Sequence, residues 1–433
     1  MTTHAPRPGQ SPSLPRDARP VPAGTRPVDV HALLSALAGV LGSPGAAPLA
    51  PYDPASPAPM PARAGAPAPA GTAVVVRTSG STTGSGHLVA LSGDALRASA
   101  LATHEHLAGP GQWLACLPSQ HIAGLQVLVR SLVAGTEPVV LDTTTGFTPE
   151  ALAAAVATMR TDVPTYASLV PTQLRRVLDA GPGAVEPLRG LAAILLGGAR
   201  TPDSLLARAH AAGLRVRTTY GMTETAGGCV YDGVPLPGVR VRTGADGRVL
   251  LAGPMLATGY LDDPAAHART FVTDGGERWL RTADVGILTP GTDGRARLLV
   301  EGRLDDVIIT GGLNVSPAAV EQALGDVPGV AESVVVGVPD EQWSALVVAV
   351  VTTAPSGPAP RLDAVRDAVG ARLGRHHAPR ALVVLDALPS RGPGKTDRRA
   401  ATRIAATALA GHTGPGADLT APQARIVAVE RLG

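Results

Sequence analysis

The chain of 433 residues contains one lysine, Lys395, although Lys and Arg together number 37. Every other fixed cation is an arginine, and the single departure suggests a position where a compact ammonium on a thin stem serves and a broad planar guanidinium does not. Aromatics make up only 2%. That leaves the core to Ala, Val and Leu and excludes the rows of stacking rings typical of single-stranded nucleic-acid binders. An excess of one charge is missing too: the formal net charge is +2, which gives no electrostatic ground for DNA or a membrane as partner. The two cysteines, Cys116 and Cys229, lie far apart with no metal-ligand spacing around them, and are expected as small core residues. There is no charged start followed by an apolar h-region and no apolar run of about 18 residues or more. A cytoplasmic, globular protein is the expectation.

What is present changes character along the chain. Residues 1–70 are crowded with Pro and Ala, and only Val28 to Leu41 has helical spacing of apolar positions, so most of this segment is expected to be irregular. From Ala73 short β-branched runs (Ala73–Val76, Trp113–Leu117, Val139–Leu141, Tyr166–Leu169, Ala193–Leu196, Val216–Thr218) alternate with amphipathic ones (Asp94–His106, Gly124–Val133, Pro149–Met159, Thr172–Leu178, Pro202–Ala211). Such alternation implies α/β architecture with mainly parallel sheets covered by helices. After Tyr231 the helical period fades into a β-rich subdomain, with a hairpin around Ala245-Asp-Gly247. A small, mobile C-terminal α+β domain is expected over 304–410, with a large domain over 71–303 and a loose tail over 411–433.

Four polar segments carry chemistry. Thr78, Ser79, Gly80, Ser81, Thr82, Thr83 and Gly84 follow a strand directly, and glycines there let successive N–H groups face one point and bind phosphate. Thr219 to Thr225 places a ring (Tyr220), a hydroxyl (Thr223) and a carboxylate (Glu224) at a strand end, suited to stacking, a phosphate and Mg²⁺. Asp284, in Arg281-Thr-Ala-Asp, could accept from two ribose hydroxyls. Arg303, Asp305 and Asp306, followed by Gly311-Gly312, read as a hinge between two domains. Gly394-Lys395-Thr396 looks like the end of a nucleotide-triphosphatase P-loop, but that motif needs Gly at 389, where Pro stands, and a place near the head of an α/β domain. That rival is set aside.

In this order, the four segments and the lysine loop resemble the motifs of the adenylate-forming superfamily of acyl-CoA synthetases, peptide-synthetase adenylation domains and luciferases, over residues 73 to 400. The runs Gly109 to Arg130 and Gly227 to Gly233 look like the short o-succinylbenzoate–CoA ligases of menaquinone synthesis. The resemblance implies a two-step ligase using ATP, Mg²⁺ and CoA, in which an acyl-adenylate forms and then passes its acyl group to CoA. It implies that Ser79 to Gly84 hold the β and γ phosphates, Thr223 the α phosphate and Glu224 the metal. Gly198, Ala199, Tyr220 and Gly221 would frame the adenine, and Asp284 and Arg303 the ribose. Asp305 would be the hinge, Gly311 and Gly312 would line the CoA channel, and Lys395 would bridge carboxylate and α-phosphate oxygens where charge grows in the transition state. His121 would border the acyl pocket with Leu125, Gln126 and Thr172; Arg130 and Arg175 are the cations offered for the succinyl carboxylate. The implied partners are small molecules, with a homodimer left open.

Two departures stand out. The phosphate loop of the superfamily usually ends in a Pro-Lys pair, whereas here one residue is inserted and Gly86-His87 takes its place, so the cation is absent or only partly present at neutral pH. Ala283 replaces a Gly before the ribose Asp. Other readings are a ligase for another aryl acid, a stand-alone adenylation enzyme, and a catalytically silent nucleotide-binding homologue.

Overall fold

The computed structural model describes residues 13–43, 45–56, 63–78, 86–354, 357–390, 395–411 and 424–429. The chain divides into two compact units: Met1–Thr201, Ala207–Thr282 and Ile287–Leu299 form the first, and Pro202–Leu206, Ala283–Gly286 and Val300–Gly433 the second.

The first unit is built on a seven-stranded sheet, in the order Val234–Pro235, Gly227–Tyr231, Val216–Met222, Ala193–Leu196, Thr165–Leu169, Gln112–Ala115, Val139–Val140. From Val216–Met222 to Val139–Val140 every pairing is parallel; the two strands beyond run antiparallel. Helix Gly93–His106 leads into this sheet from strand Leu88–Ser92 of a second sheet, and helices such as Ile122–Ala134 and Pro149–Ala157 connect its strands. Thr148 caps the last of these, accepting from Ala151 N at 3.2 Å ahead of Pro149, which satisfies a donor the first turn leaves open. Although rings are scarce, Trp113, Tyr166 and Tyr231 are the bulkiest fully buried side chains, set among Val, Leu and Ala. Each fully buried Val or Leu contributes roughly 1.5–3 kcal/mol. Cys116 and Cys229 are buried and unbonded to each other, and burial pushes both thiols up to about 12.

The proline-rich start is more ordered than its composition suggests. Arg19–Pro22 and Leu49–Tyr52 are strands flanking helix Pro27–Gly42, and they extend a five-stranded sheet through Thr72–Arg77, Leu88–Ser92 and Gly259–Tyr260. Arg19–Pro22 is the edge strand, where a residue without an N–H costs no ladder bond on the open side. A further sheet holds the hairpin Arg240–Thr243 and Arg248–Ala252, paired antiparallel.

The second unit is a four-stranded sheet, Val330–Asp340, Ser344–Thr353, Ala381–Leu385, Ala424–Val429, with helices on both faces. Strict alternation divides its valines: Val334, Val336 and Val338 pack with Ala401, Ala405 and Ala408 of helix Arg398–Gly411, while Val335, Val347 and Val351 pack with Val320, Leu324 and Val365. This is the period of two that a sheet buried on both faces requires. The segment 411–433, expected to be loose, instead contributes Ala424–Val429, antiparallel to Ala381–Leu385. Its β-branched content suits a strand, and pairing covers what would otherwise be an open edge. Ile308–Thr310 and Leu313–Val315 form a two-residue hairpin whose turn, Gly311-Gly312, has φ of +56° and +78°. Both central residues of such a turn must be left-handed, which glycine alone adopts without strain.

Candidate active site

In the first unit, Gly198 and Ala199 follow strand Ala193–Leu196, and Tyr220 to Glu224 span the end of strand Val216–Met222 and the turn after it, at the strand ends where open α/β sheets bind ligands. Thr225 locks this run: its buried Oγ1 donates to Gly227 O at 2.7 Å and accepts from Met222 N at 2.9 Å. Gly221 is obligatory for a different reason, since a Cβ there would lie 2.1 Å from Gly227 O. Glu224 O also accepts from Ala257 N at 2.8 Å. The turn therefore presents Thr223 and Glu224 on a backbone fixed from both sides.

Tyr260 Oη donates to Glu224 Oε1 at 2.8 Å. The Tyr260 ring stacks on His87, centroids 4.3 Å apart and planes 23° apart, and meets Phe271 edge-on at 5.5 Å. His87 Nδ1 lies 3.7 Å from Asp262 Oδ1, an ion-pair distance rather than a hydrogen bond, and this pairing raises the imidazole above its ordinary 6.5 against the opposing effect of burial. Asp262 is further fixed by Leu88 N, which donates to it at 3.0 Å. His87 belongs to the base of the phosphate segment: His87 N donates to Thr78 Oγ1 at 2.8 Å and Thr78 N to His87 O at 2.9 Å. Ser79, Gly80, Ser81, Thr82, Thr83 and Gly84 lie outside the described residues. Neither Tyr260 nor Asp262 has a local sequence signal. They reach Glu224 and His87 because strand Gly259–Tyr260 pairs with Leu88–Ser92, Tyr260 opposite Val89.

His121 follows a turn closed by its N–H donating to Pro118 O at 3.2 Å and caps helix Ile122–Ala134, its carbonyl accepting from Leu125 N at 2.9 Å. Leu125 and Gln126 are fully buried, with Gln126 Nε2 donating to Leu96 O at 3.3 Å, and Thr172 is half-buried on helix Pro171–Asp179. Arg130, offered as a cation for a substrate carboxylate, faces the interior instead. It is 3% exposed, lies 4.9 Å from the Trp113 ring centroid and donates to Tyr231 Oη at 3.3 Å.

In the second unit, Arg303 binds Asp305 through both ends of its fork, at 2.9 and 2.8 Å, and reaches the buried Asp284 at 3.4 Å. Burial alone would depress this guanidinium, but the Asp305 bond and the charges of Asp284, Asp305 and Asp306 outweigh it and raise its pKa. Lys395 is exposed, next to Thr396, which bridges Ser390, and Asp397, whose N donates to Pro389 O at 2.7 Å. Gly311 N donates to Trp343 O at 2.9 Å, and a Cβ at Gly311 would lie 2.8 Å from the Trp343 ring. Thus Gly198, Ala199, Tyr220, Gly221, Thr223, Glu224, His121, Leu125, Gln126 and Thr172 fall in one unit; Asp284, Arg303, Asp305, Gly311, Gly312 and Lys395 fall in the other.

A parallel sheet with a carboxylate held at a strand end, together with a small α+β unit bearing the lone lysine, has the architecture of a nucleotide-dependent acid-activating enzyme. Residues 25–261 match the AMP-binding enzyme family and residues 319–395 its C-terminal domain, and the chain belongs to that family. It is similar to the "probable 2-succinylbenzoate–CoA ligase" of Mycobacterium tuberculosis, 45% identical over 331 residues covering 76% of this chain and 84% of that one. Among solved structures it is similar to the o-succinylbenzoate CoA synthetase of Bacillus subtilis in complex with the acyl-adenylate intermediate (28% identity, TM-score 0.64, 76% of this chain and 68% of that one). The amide bond synthetase of Marinactinospora thermotolerans aligns more extensively (26% identity, TM-score 0.68, 92% and 90%).

Proposed function

We propose that the chain is an AMP-forming acid–thiol ligase that joins o-succinylbenzoate to CoA in menaquinone biosynthesis. The observation that carries the acid's identity is the 45% identity to the mycobacterial ligase across most of both chains. The geometry supports the reaction class: Glu224 and Thr223 are held rigidly near the base of the phosphate segment, and Asp284 with Arg303 forms a compact acid–base pair suited to ribose hydroxyls.

The residues fit Mg²⁺ held largely by substrate. Glu224 offers one carboxylate, and no group of three or more His, Cys, Asp or Glu able to hold a metal exists among the described residues. One or two carboxylates plus substrate phosphates is the usual Mg²⁺ environment. Glu224 would hold the ion, which would supply charge neutralisation at the phosphates. Thr223 would donate to the α-phosphate. Lys395 would bridge it to the incoming carboxylate, placing a point charge where negative charge accumulates. Asp284 and Arg303 would fix the ribose. The carboxylate oxygen attacks the α-phosphorus and pyrophosphate leaves; the CoA thiolate then attacks the acyl carbonyl and AMP leaves, with Gly311 and Gly312 lining the thiol's approach. His121, Leu125, Gln126 and Thr172 would form the aryl pocket. ATP and CoA as co-substrates support a cytoplasmic setting for this reaction.

The test is thioester formation, read by mass spectrometry with ATP, Mg²⁺ and CoA, for o-succinylbenzoate beside benzoate, salicylate and a medium-chain fatty acid. Product from o-succinylbenzoate alone is expected. Product only from another acid would keep the chemistry and discard the substrate, an outcome given weight by 32% identity to an indoleacetate–CoA ligase of Aromatoleum aromaticum. Lys395→Ala should slow adenylation about 10²–10³-fold while sparing thioester formation from supplied acyl-adenylate. Equal loss in both half-reactions would remove the role given to Lys395.

A further inference from the structure

Tyr260 makes three connections at once, and the proposed reaction assigns it none. Its hydroxyl occupies Glu224 Oε1 at 2.8 Å. Its ring is clamped between His87, stacked at 4.3 Å, and Phe271, edge-on at 5.5 Å. Its backbone is registered opposite Val89, two residues past His87. A carboxylate on a flexible side chain rotates freely unless something holds it, and metal ligands are commonly fixed by hydrogen bonds from residues that never touch the ion. A carboxylate oxygen has no proton to give, so the phenol O–H is the donor in this contact. With Oε1 engaged, Glu224 keeps its remaining acceptor capacity for another group.

The far side of the ring is held as firmly. Asp262 Oδ1 accepts from Leu88 N at 3.0 Å and lies 3.7 Å from His87 Nδ1. Leu261 N donates to Leu88 O at 2.9 Å, and Thr258 N to Ala90 O at 2.8 Å. The segment 258–262 is thus stitched to the strand leaving the phosphate segment, while its tyrosine grips the acid 36 residues earlier. Position 87, where the superfamily usually has a lysine, carries in this chain a flat ring that a tyrosine can stack on.

We propose that Tyr260 is a positioning residue that orients the Glu224 carboxylate for the divalent cation and, by stacking on His87, ties that orientation to the base of the phosphate segment. This rests on the metal role given to Glu224 under the proposed function. Its signature is a change in metal dependence without a change in metal-free nucleotide binding, because the hydroxyl donates to the carboxylate proposed to hold the metal.

Tyr260→Phe removes one hydroxyl and keeps the stacked ring. ATP binding would be measured by titration calorimetry on the full chain, in EDTA and across a Mg²⁺ series, with Mn²⁺ binding in the presence of a non-hydrolysable ATP analogue followed by electron paramagnetic resonance. For Tyr260→Phe the Mg²⁺ midpoint should rise about tenfold, within the roughly 10- to 100-fold typical of such outer partners, and Mn²⁺ affinity should fall in parallel. Affinity in EDTA should stay within about twofold. Glu224→Gln is the reference and should move the midpoint further. If Glu224→Gln moves it and Tyr260→Phe does not, the positioning role is overturned and the metal role stands. If neither does, both roles fall, and the ligase reading is still judged separately by thioester formation. A Tyr260→Phe protein that loses EDTA affinity as much as metal-supported affinity would show a merely structural residue, and would overturn the proposal.

Discussion

Two histidines of the first unit sit in similar aromatic surroundings and are driven in opposite directions. His87 stacks on Tyr260 with Asp262 within 3.7 Å, and this pairing raises its affinity for a proton. His104 is 3% exposed, tilted against Trp113 at 6.4 Å, and neither ring nitrogen has a hydrogen-bond partner. Burial, and then the charge of Arg130, hold it down to about 4. The difference lies in the acid. Around His104 the neighbouring cation, Arg130, is met by a ring face and a Tyr231 hydroxyl, and no carboxylate among the described residues pairs with it. Around His87 and Glu224, two carboxylates are each held by a neutral or cationic donor. A polar cluster without an acid stays neutral wherever it can and serves packing, whereas one with acids is charged and able to meet a cation or a phosphate.

The sharpest way to break this comparison is acid. A histidine of ordinary value 6.5 held near 4 in the folded chain leaves the unfolded state binding more protons between those limits. Its contribution is present above about 6.5 and lost as pH falls through about 4, amounting to about 3 kcal/mol. His104→Leu should remove most of that acid-induced loss, read as the difference in urea-unfolding free energy between neutral and mildly acidic buffer. An unchanged difference would mean that His104 is not the buried proton sink. Arg130→Met should have a smaller effect. Replacing a buried cation that lacks an acid by an apolar chain of similar length is often neutral, so stability at neutral pH should stay within about 1 kcal/mol. With the guanidinium charge gone, His104 should titrate closer to 6.5 and the acid-induced loss should shrink; a deeper loss would mean that the Arg130 fork supports the packing around Tyr231 and Trp113.

The two clusters were not equally legible. Apolar runs bounded by glycine or proline reveal their elements directly: strand Ala193–Leu196 matches the pattern residue for residue. Glu224 and Thr223 were visible because six consecutive residues at a strand end concentrate ring, hydroxyl and acid. Tyr260 and Asp262 were not, because what joins them to Glu224 and His87 is sheet register, which leaves no mark in local composition. The strands at Arg19–Pro22 and Leu49–Tyr52 were hidden by proline, read as a breaker; the first is the sheet edge, which tolerates it, and in the second Pro51 lies beyond Leu49, the residue in register with Thr72–Arg77. Arg130 was offered as a cation for the succinyl carboxylate because it ends the run, Gly109 to Arg130, that resembles the ligases. Here the helix buries an unbroken run from Gly124 to Ser131, so the residue has no polar face to occupy.

The smallest effect tests the other half of the comparison. His87 is partly exposed and its partner Asp262 nearly buried, at 24% and 9% of their side-chain surfaces, so the pair should contribute at most about 1 kcal/mol. Because the folded value is raised, that contribution is fully present below about 6.5 and is lost as pH rises through the raised value. His87→Gln should therefore flatten the alkaline decline in thermal midpoint, and His87→Lys should carry a charged partner for Asp262 far into the alkaline range. His87→Lys also restores the cation that the superfamily usually has at this place, so a rise in ATP affinity with no rise in stability would separate the phosphate role of the position from its pairing with Asp262. No change in either quantity would mean that the histidine matters here as a flat surface for Tyr260 and not as a charge.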